Sequence, residues 1–93
     1  MRNYEVVIIV QPDLDEPAFA EVVQRVSSWI TESGGEVSKT DVWGKRQLAY
    51  PIRKYNEGQY FLMNVKMAGT NNVELDRNLR FLEPVIRYML VAK

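Results

Sequence analysis

Four cations fall within ten positions at the middle of the chain. Lys45 and Arg46 precede the run Leu48-Ala49-Tyr50-Pro51-Ile52, and Arg53 and Lys54 follow it. Tyr50 and Tyr55 place aromatic rings among these charges. Arg and Lys beside exposed aromatic rings suit a phosphate backbone and unstacked bases. Arg2, Arg80 and Arg87 extend the cationic set, and Arg77 and Arg80 share a helical flank at i, i+3. Solvated strand and helix faces carry the same pattern, so it points to an anion without naming one.

Other chemistries find little support. The chain has no Cys and no His. That removes the thiolate, the commonest metal ligand and the commonest general base. Asp13, Asp15 and Glu16 cluster, but the start of a helix accounts for them. No glycine-rich phosphate loop is present. We expect no catalytic residue, no metal site, no cofactor and no small-molecule substrate.

Net charge is zero over 93 residues, but it is split. Residues 1–36 carry seven acids and two bases, and residues 37–93 carry five acids and ten bases. An anion-facing side would produce such a split, and so would chance scatter of solvated charge. No run approaches the ~18 to 20 apolar residues of a membrane span. The first residues lack the shape of a signal peptide. The expectation is one soluble domain, residues 1–93, in a reducing, cytoplasmic compartment, with no membrane partner.

These residues need elements to position them. Residues 2–10 are rich in β-branched side chains and apolar on both faces in mid-strand, which predicts a central strand. Asp15 reads as the N-cap of a helix with Pro17 in its first turn. Phe19, Val22, Val23, Val26, Trp29 and Ile30 form its apolar stripe, and Gly34-Gly35 ends it. A long strand follows over 36–50, where Gly44 suggests a bulge or a close approach of another backbone, and Pro51 makes this end either an edge or a segment that has left the ladder. Residues 53–58 read as a polar turn with Asn56 to Gly58 supplying its chemistry. A third strand covers 59–67. A second helix begins after Gly69 and Thr70 with an Asn71–Glu74 capping pair. Leu75, Leu79 and Leu82 make its stripe, with Val73 near its start, Glu83-Pro84 stops it, and 85–91 form a fourth strand.

The order βαββαβ predicts an α+β, ferredoxin-like fold with two helices on one face of a four-stranded antiparallel sheet. Tyr4, Val6, Ile8, Phe61, Met63, Val65, Tyr88 and Leu90 would face the helices. Val7, Ile9, Tyr60, Leu62, Met89 and Val91, with Trp43, would lie on the open face. That is a large apolar surface to leave in water, so a docked partner is expected there. Loops or self-association would cover it equally.

Two other families share this order. An acylphosphatase-like enzyme needs an anion-binding loop after the first strand, and here that loop is Gln11-Pro12-Asp13-Leu14-Asp15, which is acidic. An RNA-recognition motif needs a basic-Gly-aromatic pattern that Tyr60 and Phe61 do not complete. Two non-ribosomal alternatives stay open: a regulatory or ligand-binding domain that dimerises through its sheet, and the acylphosphatase-like enzyme, which a hydrolysis assay would exclude.

The chain resembles the family of the sixth protein of the bacterial small ribosomal subunit. Three stretches carry the resemblance: Met1-Arg2-Asn3-Tyr4-Glu5; Gly44-Lys45-Arg46-Gln47-Leu48-Ala49-Tyr50-Pro51-Ile52 with Lys54, Gly58 and Tyr60; and Ile86-Arg87-Tyr88-Met89-Leu90. The central motif is the specific one. The resemblance implies a non-enzymatic ribosomal protein that binds the central domain of small-subunit ribosomal RNA in a heterodimer with ribosomal protein S-eighteen. Arg2, Lys45, Arg46, Tyr50 and Lys54 fall on motif positions. Their charge makes them candidate RNA contacts, and Arg53, Arg80 and Arg87 join them. The extended acidic tail of some members has no counterpart after Lys93, so no role of such a tail is carried over.

Overall fold

The computed structural model describes residues 2–69 and 71–92, with every side chain except those of Asn71 and Asn72. The order is β1 (Arg2–Val10), α1 (Glu16–Glu32), β2 (Glu36–Ile52), β3 (Tyr55–Met67), α2 (Asn71–Phe81) and β4 (Val85–Ala92). The Thr70 lead-in and the Asn71–Glu74 capping pair expected at α2 lie outside the described residues.

The four strands form one antiparallel sheet in the order β2-β3-β1-β4. The apolar alternation of β1 sets the register. Tyr4, Val6 and Ile8 pair with Val65, Met63 and Phe61, so one face of β1 and β3 is apolar along its length. The helices cover this face. Asp15 caps α1 by accepting from the Ala18 N–H at 3.0 Å. Phe19, Val22, Val26 and Ile30 then point into the sheet, and Phe19 meets Phe61 edge-on with ring centroids 5.5 Å apart. The α1 terminus closes with Gly34 N–H to Thr31 O and Gly35 N–H to Ile30 O, the paired bonds of a Schellman motif. Leu75, Leu79 and Leu82 bring α2 onto the same core. Val73, near the start of that stripe, is exposed, because it lies off the 75–79–82 row.

The main departure from expectation is in the long hairpin. The polar turn expected over 53–58 is only Arg53-Lys54, and Asn56 to Gly58 belong to β3. Both turn residues have positive φ, 50° and 71°, and Ile52 pairs with Tyr55 across them. That is the pattern of a two-residue type I′ turn, which matches the twist of the flanking strands. Asn56 to Gly58 look like turn chemistry, but Gly58 answers a different need. A Cβ on it would come 2.3 Å from Ile9 Cγ2, so glycine is required by close packing.

The second strand is longer than expected and its pairing with β3 shifts three times. The shift between Val42 and Gly44 is the predicted bulge, with Gly44 at φ +82°. The shift between Gln47 and Ile52 takes Leu48 to Pro51 out of the ladder, which accommodates the missing N–H of Pro51.

Candidate nucleic-acid and partner interface

Pleat parity places the odd residues of β1, the even residues of β3 and, from Arg87 onward, the odd residues of β4 on the face opposite the helices. Leu62, Val7 and Met89 make one cross-strand row, and Tyr60, Ile9 and Arg87 the next. Trp43 is the extra residue of the Val42–Gly44 bulge, and its ring stacks on Tyr60 with centroids 6.1 Å apart and planes 16° apart. The bulge therefore turns Trp43 onto the open face. Met89 is 55% exposed and Val91 43%, while Val7, Tyr60 and Leu62 are half-buried.

Ile9 is different. It is 8% exposed, because the far end of the hairpin bends over the sheet. Leu48, freed from the ladder, packs with Ile9 and Ile86, and Ile52, Tyr55 and Tyr60 close around them. The expectation of a wholly uncovered face is thus corrected at this end. The chain covers Ile9 with its own hairpin, and the apolar surface left open is the stripe of Val7, Leu62, Met89 and Val91 with Trp43 and Tyr60. A groove of about 270 Å³ remains beside the bend, lined by Val7, Ala49, Tyr50, Ile52 and Met89 among others. Leu48, Ile52 and Ile86 are contributors that alternation alone did not reveal. Val42 and Phe81 are further exposed apolar residues outside the expected set.

The bend also arranges the cations. Arg53 reaches from the turn to β4, where its Nη1 donates to the Val85 carbonyl at 3.3 Å. Arg87 Nη1 donates to the Tyr50 hydroxyl, and its guanidinium lies 5.9 Å from the centre of that ring. Arg80, in the last turn of α2, pairs with Asp76 at 2.9 Å. Asp76 also accepts from the Tyr88 hydroxyl at 2.6 Å. Burial pushes the Tyr88 phenol above its ordinary value, and the bond to Asp76 adds to the rise. Arg80 is held further in its charged form by Tyr88 and Asp76.

Not all of the expected residues converge. Arg53, Arg80 and Arg87 line one cavity, and Tyr50 joins them through Arg87. Arg46 lies on the open face opposite Gly58, beside Trp43 and Tyr60. Lys45 is exposed, opposite Gln59, with helix-face parity. Lys54 stands exposed at the tip. Arg2 is apart from all of these. It pairs with Met67, seven residues along β1 from Ile9, or ~24 Å at ~3.4 Å per residue. Among the described residues, Lys45, Arg46, Arg53, Lys54 and Arg87 have no carboxylate within ion-pairing distance. No group of three or more acidic side chains that could hold a metal ion occurs among the described residues.

The described residues thus make a ferredoxin-like α+β sandwich that joins an apolar open face to a cationic hairpin. The family model described as Ribosomal protein S6 matches residues 3–92, and the chain belongs to that family. It is 45% identical over 92 residues to small ribosomal subunit protein bS6 of Clostridioides difficile, covering 99% of each chain. It is 44% identical over 90 residues to bS6 of Moorella thermoacetica, covering 97% of this chain and 92% of that one. The crystal structure of 30S ribosomal protein S6 from Thermotoga maritima superposes with a TM-score of 0.93 at 32% identity, covering 99% of this chain and 87% of that chain.

Proposed function

We propose that this chain is a structural protein of the small ribosomal subunit that acts on the ribosome in the cytoplasm. It binds the central domain of small-subunit ribosomal RNA as a heterodimer with ribosomal protein S-eighteen. The observation that carries this reading is the continuity of two surfaces. The open apolar stripe of Val7, Leu62, Met89 and Val91, with Trp43 and Tyr60, runs directly into the cationic bend bearing Arg46, Tyr50, Arg53, Lys54 and Arg87. The stripe suits the protein partner, with Ile9 supporting it from within, and the bend suits phosphates, with Lys45 and Arg80 beside it. Arg2 makes a separate RNA contact at the other end of the sheet.

The single domain spans residues 1–93 and needs no cofactor. Recognition rests on shape and phosphate neutralisation rather than on base edges. Zero net charge gives little long-range attraction to RNA, so a basic partner raises the association rate and affinity. Titrating a labelled central-domain RNA fragment with this chain, alone and with the partner, tests the reading. Weak binding alone and tight binding as a pair are expected. Equal affinity in both cases would overturn cooperative recognition. Sedimentation as a homodimer that buries the open stripe, without RNA affinity, would favour the regulatory-domain alternative.

A further inference from the structure

The cavity of about 190 Å³ at the edge of β4 draws its charge from three elements distant in sequence. Arg53 comes from the hairpin turn, Arg80 from the end of α2 and Arg87 from β4, and Leu79, Val85 and Tyr88 complete the wall. We propose that these three arginines together bind one backbone phosphate of the RNA. This rests on the RNA-binding reading above and adds a stoichiometry to it: three cations serve a single phosphate rather than one each.

The geometry favours sharing. Each guanidinium carries five N–H donors in a rigid fork. The Val85 carbonyl takes a donor from Arg53, Tyr50 one from Arg87 and Asp76 one from Arg80, which fixes each side chain and leaves donors free. Among the described residues no carboxylate lines the cavity, and Asp76 beside it is already bonded to Arg80 and to the Tyr88 hydroxyl. Three arginines therefore line a cleft partly walled by Leu79 and Val85, and of the three only Arg80 is ion-paired. A backbone phosphodiester, with one negative charge, meets fixed, charge-assisted donors there at little ordering cost. Arg46 and Lys54 do not line this cavity.

The salt dependence of RNA binding counts the phosphates engaged, at roughly 0.7 to 0.9 of slope for each. Binding of the central-domain fragment to the heterodimer is measured across salt for Arg53→Gln, Arg80→Gln, Arg87→Gln and the triple variant. Sharing predicts that each single variant lowers the slope by less than one phosphate, and the triple by about one in total. A triple variant that loses about three phosphates of slope would show independent contacts and overturn the proposal. An unchanged slope with tight wild-type binding would overturn it while leaving the RNA-binding reading intact. Absence of wild-type binding would overturn both. The Arg80→Gln/Arg87→Gln double variant keeps the Arg53–Val85 bond and serves if the triple variant does not fold. It should then lose no more than one phosphate, and a loss of two would refute sharing. A scan of neutral methylphosphonate linkages along the fragment is the second readout. One position should weaken wild type about tenfold and leave the triple variant unaffected. No such position would count against the site.

Discussion

Arg53 and Lys54 hold left-handed backbone where asparagine and glycine would sit more easily. For residues with a Cβ this conformation costs roughly 1 to 2 kcal/mol each. Lys54→Gly should therefore stabilise the chain by about 1 kcal/mol in urea titration, and lower RNA affinity by the loss of one cation. Stability that falls instead would show that the Lys54 side chain supports the turn. Tyr88 gives a second test at this scale. Its folded value is raised above about 10, so between the unfolded and folded values the native state holds the proton more tightly. The stability that Tyr88 contributes is complete below pH 10 and is lost as pH climbs through the folded value. Unfolding titrations from pH 9 to 11 should show a steeper decline for wild type than for Tyr88→Phe. Parallel declines would detach Tyr88 from the alkaline transition.

At the scale of elements, the hairpin is held down by Leu48 against Ile9 and Ile86. Leu48→Ala should cost about 2 kcal/mol, the low end for a buried leucine because the site is at the rim. Amide exchange should quicken most across 47–57 and least in β1, and a uniform rise across the sheet would show that the bend is not a separate unit. The hairpin also marks the boundary of what sequence conveys. The Asp15 cap, the Gly34-Gly35 terminus, the Gly44 bulge and the 3.6-residue stripe of α1 were legible because each depends on neighbours within a few positions. The Arg53-Lys54 turn was not, because its residues contradict their backbone and Asn56 to Gly58 offer better-looking turn chemistry. The burial of Ile9 and the convergence of Arg53, Arg80 and Arg87 were hidden for a different reason. Both depend on four residues leaving the ladder, which alternation cannot register.

For the molecule as a whole, the open stripe should separate binding from stability. Met89 is mostly exposed, so Met89→Asp should change unfolding free energy by less than about 0.5 kcal/mol. The same substitution puts a charge into the proposed partner surface and should reduce heterodimer affinity by at least tenfold in calorimetry. Unaltered affinity would move the partner to another face. The ferredoxin-like topology and the two faces of the sheet were readable from the period of the strands. Which part of the open face stays open was not, since that follows from tertiary contact between the hairpin and β4.

The strand order has a consequence for how the chain folds. The central strand β1 is first in sequence, yet both of its neighbours come late: Arg2 meets Met67 and Tyr4 meets Ala92. The β2–β3 hairpin is closed by a two-residue turn and can form within microseconds. The sheet cannot close until residues beyond 85 are available to β1. Folding should thus begin as a local ribbon in the middle of the chain and finish with the long-range capture of the two ends, at a rate set by loop closure.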